Sequence, residues 1–163
     1  MAENNYKPYV HTNVRVFFRI AQESYQAMKK YFHEHAKPKP NGESGHIFTL
    51  DPEQKSFKNA FITIVFSGVF LEALLHLLIV ERHGLRTFNE YDRKSYEEKF
   101  KLLGCSDQSI IDLCEKYRAV RREIVHEKAY FDSDSAFRIA QDEADVAIEL
   151  VNKVVDYFKV EVD

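Results

Sequence analysis

The chain lacks tryptophan and has only two cysteines, five glycines and four prolines among its 163 residues. Each scarcity closes off a class of protein. Cys105 and Cys114 are too few for a disulfide framework and wrongly spaced for a zinc site, so a reducing, cytoplasmic setting is expected. Few breakers, beside thirteen phenylalanines and nine tyrosines, leave little to interrupt long helices. Neither sign of charge dominates: 23 Lys and Arg against 26 Asp and Glu leave a net charge of -3. That excludes coating nucleic acid by bulk charge, and any phosphate-binding surface has to be local. The first residues, Met1 to Lys7, lack the basic flank and apolar run of a secretory signal. There is no internal repeat, Gly-rich phosphate loop, His-Glu-x-x-His helix or nucleophile elbow.

What is present reads as helices. Length and a 45% hydrophobic content predict a single helical domain over 1–163. Val14, Phe17, Phe18, Ala21, Tyr25, Met28 and Phe32 recur at helical spacing and predict a first helix over 13–35. Pro38, Pro40, Gly42 and Gly45 then predict an exposed loop over about 36–51. Asp51 as N-cap, Pro52 in the first turn and Gln54 at the capping-box position predict the next helix start, and Gly84 its end. From Phe61 to Val80 this helix is apolar nearly all round, the pattern of a central helix covered on every side. The run is long enough for a bilayer, but Ser67, Glu72 and His76 interrupt it and the flanking helices can cover it, so no membrane span is expected. Ser95 and Glu98 predict a capping box on a short third helix, with Tyr96, Phe100 and Leu103 facing inward and Gly104 closing it. Ser106 opens a fourth. Ala136, Ile139, Ala140, Ala147, Leu150, Val151, Val154 and Phe158 mark a fifth. The expected fold is all-α, a five-helix up-and-down bundle around the central hydrophobic helix.

Two places put charge where such a bundle buries apolar groups. On the fourth helix Ile110, Leu113, Cys114, Tyr117, Ile124 and Val125 form one apolar stripe, and Arg121 projects from its middle. An unpaired buried guanidinium costs several kcal/mol or more, so Arg121 implies a carboxylate, a second subunit or an anionic ligand. On the second helix Gly68, Glu72, His76 and His83 fall along one stripe. Glu72 then has two readings: a bond to His76 or to a tyrosine hydroxyl, or a pair with Arg121. Helix spacing alone sets Arg122, rather than Arg121, on the face of His126.

An Arg, four intervening residues and a His near the end of a late helix, as in Arg121 to His126, resembles the HEPN superfamily of helical ribonuclease and nucleotide-binding domains. The resemblance implies a HEPN-like fold and a homodimer in which Arg121 and His126 of two protomers meet at a cleft and cleave RNA without a metal. It further implies a toxin or defence role, with a nucleotidyltransferase-like antitoxin as partner. The chain departs from the pattern at Arg122, where Asn, Asp or His is common, and at Lys128, where some toxin members carry Tyr; Tyr130 follows two residues on.

The residue types suit that chemistry. His moves protons near neutral pH, and Arg stabilises charge building on a phosphoryl group attacked by the ribose 2′-hydroxyl. The expected catalytic pair is Arg121 and His126, with Arg118, Arg122 and Lys128 holding the RNA backbone and Glu72 and Tyr130 in support. Glu115, Glu123 and Glu127 offset the basic side chains, so this charge run also reads as a solvated helix face. Glu123 and His126 have the spacing of a di-iron carboxylate site, but the only other such pair, Glu43 and His46, lies in the Gly-rich loop. His33 and His35 diverge on a helix, so with His46 they read as solvated histidines. No metal or cofactor is expected. The competing reading is a non-catalytic helical dimerisation or partner-binding module, with Arg121 as a structural cation.

Overall fold

The computed structural model describes residues 12–49, 51–125 and 140–162. Helix α1 (Val14–His35) buries Val14, Ala21 and Met28 and presses Phe17, Phe18 and Tyr25 against the core. The expected loop after it holds an antiparallel ribbon instead. Strand β1 (Ala36–Pro38) pairs with β2 (His46–Phe48), with Ala36 opposite Phe48 and Pro38 opposite His46. Pro40–Gly42 forms one 3-10 turn between the strands, and Gly42 and Gly45 take φ of 75° and 107°. The Pro and Gly residues that signal a loop thus make the turn of a hairpin.

Helix α2 (Lys55–Tyr91) starts later than the capping pattern predicts. Pro52 lies inside a turn closed by Gln54 N–H donating to the Asp51 carbonyl at 3.1 Å, the place its fixed φ suits. Gln54, at φ 53°, is the boundary residue and its side chain caps nothing. Asp51 still serves the helix start, because its carboxylate accepts from Glu53 N–H at 3.1 Å and Ser56 N–H at 3.4 Å. Gly84 kinks the helix rather than ending it: at φ 81°, ψ 168° the backbone leaves helical geometry and re-enters it at once. That kink has a consequence in space. Along a straight helix His76 and Phe88 would stand about 18 Å apart, yet their rings lie 4.8 Å centroid to centroid.

Helix α3 (Tyr96–Leu102) carries both arms of its capping box, Glu98 N–H to Ser95 Oγ at 3.3 Å and Ser95 N–H to Glu98 Oε2 at 3.0 Å. Gly104, at φ 78°, turns the chain out of it while Cys105 N–H bonds back to the Phe100 carbonyl at 2.9 Å. Helix α4 (Gln108–Val125) opens on Asp107 rather than Ser106: the Asp107 carboxylate accepts from Ser109 N–H at 2.9 Å and its carbonyl takes the first helical bonds. Helix α5 is described over Ala140–Phe158; Ala136 and Ile139, expected on it, lie outside the described residues.

The fold is an all-α helical bundle, with five helices and one short ribbon among the described residues. Helix α2 packs against each of the other four, and Phe70, Leu71, Leu74, Leu75 and Ile79 are wholly buried. It is the one helix among the described residues long and apolar enough to cross a membrane, and 56% of its apolar window is covered by the rest of the chain. Lys29 bonds to Asp145 at 2.7 Å and Gln22 to Asn152 at 2.7 Å, tying α1 to α5.

Candidate active site at helix α4

Helix α4 is seated by its stripe. Ile110, Leu113, Cys114, Tyr117 and Val120 are buried, and Tyr117 donates its hydroxyl proton to the Ile64 carbonyl of α2 at 2.7 Å. Burial pushes the Cys114 thiol up to about 12, so it is inert. Ile124 and Val125, placed on the same stripe by spacing, have side chains outside the described residues.

One turn beyond Tyr117, Arg121 crosses to α2 over Gly68. A Cβ at Gly68 would collide with the Tyr117 hydroxyl and stand 3.1 Å from Arg121 Nε and 3.2 Å from its Cζ. The glycine is a notch that admits two α4 side chains. Arg121 is partly buried and donates from Nη1 to the Tyr96 hydroxyl at 2.8 Å. Among the described residues it forms no ion pair.

Glu72, one turn past Gly68, pairs elsewhere. Lys99 on α3 donates to Glu72 Oε1 at 3.0 Å, to the Asp92 carbonyl at 3.0 Å and to His76 Nε2 at 3.1 Å. An ammonium has one N–H for each of these acceptors, which makes Lys99, 1% exposed, a fully satisfied buried cation. Accepting at Nε2 puts the neutral His76 proton on Nδ1. Of the expected partners of Glu72, a tyrosine borders it, while His76 Nε2, 3.2 Å away, has its lone pair turned to Lys99 and donates to Glu72 only as the imidazolium. The Tyr96 hydroxyl borders the Glu72 carboxylate, and each shifts the other's proton affinity. The postulated Glu72–Arg121 pair does not form. Tyr96 stands between the two, its hydroxyl 3.4 Å from the Gly68 carbonyl.

Titration follows from this packing. Burial works against the Glu72 carboxylate, but the Lys99 bond and charge, the Tyr96 hydroxyl and His76 outweigh it and hold its pKa below the ordinary value. Burial and then the Lys99 charge push His76 below its ordinary value, over the opposing pull of Glu72 and Asp92. Burial raises Tyr96 far above the phenol range despite the Arg121 charge, so its hydroxyl is neutral.

On the outer face of α4, Arg118 and Arg122 line a polar cleft of about 560 Å³ with Ser95, Glu97, Glu115 and Ala119. Arg118 is not free in it: Nη1 holds both Glu97 oxygens, at 2.8 and 2.9 Å. Arg122 is exposed. His126, Lys128 and Tyr130 lie outside the described residues, so the structure brings together Arg121, Tyr96, Glu72 and Lys99 and leaves the second member of the expected catalytic pair unplaced.

Sequence reasoning missed Lys99, Tyr96 and Glu97 as members of this site. For Lys99 the signal was available. It falls on the stripe of Tyr96, Phe100 and Leu103, the same placement of a charge on a buried face that singles out Arg121. Set against protein-family models, curated proteins and solved structures, the chain matches none.

Proposed function

We propose that this chain is a HEPN-like, metal-independent endoribonuclease in which Arg121 and His126 act on one phosphodiester. The ribose 2′-hydroxyl attacks the adjacent phosphorus as His126 takes its proton, the bond to the 5′-oxygen breaks, and the proton passes from the imidazolium to that oxygen. The products are a 2′,3′-cyclic phosphate and a 5′-hydroxyl. Arg121 stabilises the charge on the phosphoryl oxygens along the way. The observation that carries this reading is the state of Arg121: partly buried, held by a neutral hydroxyl at 2.8 Å, and without an ion pair among the described residues. A structural cation on a buried face draws a carboxylate, as Lys99 does. A homodimer through α4, a role as toxin or defence component, and a nucleotidyltransferase-like antitoxin partner belong to the same proposal.

The test is cleavage of a labelled single-stranded RNA in the presence of a chelator. Wild-type protein should release cyclic-phosphate ends, and His126→Ala and Arg121→Ala should each abolish the reaction while keeping the helical circular dichroism of the parent. One observation favours a second reading, a non-catalytic helical dimerisation or partner-binding module: both Arg118 and Arg121 have bonds within the chain, to Glu97 and Tyr96. Intact RNA under all conditions, with a candidate partner present or removed, would put the module in place of the nuclease.

A further inference from the structure

We infer that Tyr96 is the positioning residue for Arg121, a neutral hydroxyl that aims the guanidinium and leaves its charge for a phosphoryl group. The inference rests on the reading of Arg121 given above and adds to it a residue that the Arg-x4-His pattern does not contain.

Tyr96 is placed rigidly. It is the first residue of α3, next to Ser95, whose capping box fixes that turn, and only 6% of it is exposed. Its hydroxyl accepts from Arg121 Nη1 at 2.8 Å, while the proton it carries faces the Gly68 carbonyl at 3.4 Å and the bordering Glu72 carboxylate. The hydroxyl therefore has one lone-pair direction turned to Arg121 and its proton turned to acceptors on α2, which sets its orientation. From below, Gly68 lets the guanidinium lie within 3.2 Å of where a side chain would begin.

The choice of a phenol matters. A carboxylate at this place would fork onto two N–H groups and cancel the charge. A phenol occupies one N–H and brings no opposite charge to the guanidinium. Glu72, the carboxylate expected to pair with it, is held on the far side of Tyr96 by Lys99 at 3.0 Å. One aromatic side chain thus separates Arg121 from the Lys99–Glu72 pair.

Tyr96→Phe keeps the ring in the core and removes only the hydroxyl. In the RNA assay kcat should fall by roughly ten- to a hundredfold, the range for a misplaced catalytic group, with KM for RNA changed by less than about twofold. A second readout needs no activity. In nitrogen-15 NMR the guanidinium signals of Arg121, assigned by their loss in Arg121→Lys, should be resolved in the wild type and averaged by fast rotation in Tyr96→Phe. Unchanged kcat together with an unchanged Arg121 spectrum overturns the inference. Should wild-type protein cleave no RNA, the nuclease reading fails on its own, and the NMR comparison alone decides whether Tyr96 holds Arg121: averaging in Tyr96→Phe upholds it and unchanged signals overturn it.

Discussion

Lys99 and Arg121 are both cations set on apolar stripes, on α3 and α4, and both reach toward the same polar seam of α2. They end in opposite states. Lys99 is 1% exposed and meets a carboxylate, an imidazole and a carbonyl, all within 3.1 Å. Arg121 stays partly buried and meets a hydroxyl. The difference teaches that a charge on a buried stripe is not itself a functional sign: what separates the two is whether the described residues supply an opposite charge. Breaking Lys99 should therefore have the largest effect on stability. Lys99→Met leaves Glu72 and His76 facing each other without their cation and should cost about 3 kcal/mol, the low end for a broken buried pair because Glu72 keeps a face to water. Arg121→Met removes the hydrogen bond to the neutral Tyr96 hydroxyl, a loss of about 1 kcal/mol. Urea denaturation of both variants measures this, and equal losses would erase the distinction.

Acidification sharpens the same contrast by a smaller amount. His76 and Glu72 both titrate below their ordinary values of 6.5 and 4.5 in the folded chain. Below each ordinary value the unfolded chain takes up a proton that the folded chain refuses, so unfolding gains as pH falls. The contribution of His76 is complete above pH 6.5 and is lost as pH drops through its folded value; that of Glu72 is complete above 4.5 and is lost lower still. Subtracting the stability curve of His76→Gln from that of the wild type should isolate the upper loss, and Glu72→Gln the lower. Both differences should shrink in Lys99→Met, that of Glu72 the more because burial also depresses His76, and a wild type that gains stability between pH 7 and 5 through His76 would reverse the assignment.

Much of this architecture could be read from residues. The stripes of α1, α4 and α5 over the described residues and the Ser95–Glu98 box rest on local periodicity or capping and are found in the fold, whereas α2, expected to be covered on every side, leaves Ile62 39% exposed. The failures share a cause. Pro52 and Gly84 are signals with more than one structural answer: the first fits a turn as well as a helix start, the second a kink as well as an end. The hairpin within 36–51 was hidden because three-residue strands have too little alternation to detect. In the site, Arg121 and Glu72 were visible as anomalies, but their partners were not. Pairing across 27 residues from Lys99 to Glu72, or 25 from Tyr96 to Arg121, depends on how helices dock, which no periodicity on one helix contains.

The smallest effect belongs to a third cation, Arg118, whose pair with Glu97, unlike that of Lys99, lies near the surface. Its side chain is 54% exposed and that of Glu97 21%, and the two span α3 and α4 across the polar cleft. Water screens such a pair, so a double-mutant cycle with Arg118→Ala and Glu97→Ala should yield a coupling below about 1 kcal/mol that shrinks further in salt. Its importance lies in what Glu97 withholds. While both of its oxygens sit within 2.9 Å of Arg118, that guanidinium can meet a phosphate only by giving them up. Glu97→Gln weakens this competition without emptying the cleft, so RNA should bind more tightly to the variant and with a steeper dependence on salt, as an added phosphate contact requires. Titration of labelled RNA at two salt concentrations measures both. If Glu97→Gln binds RNA no better than the wild type, Arg118 is a structural member of the α3–α4 contact, and the backbone-binding role falls to Arg122 and to residues beyond α4.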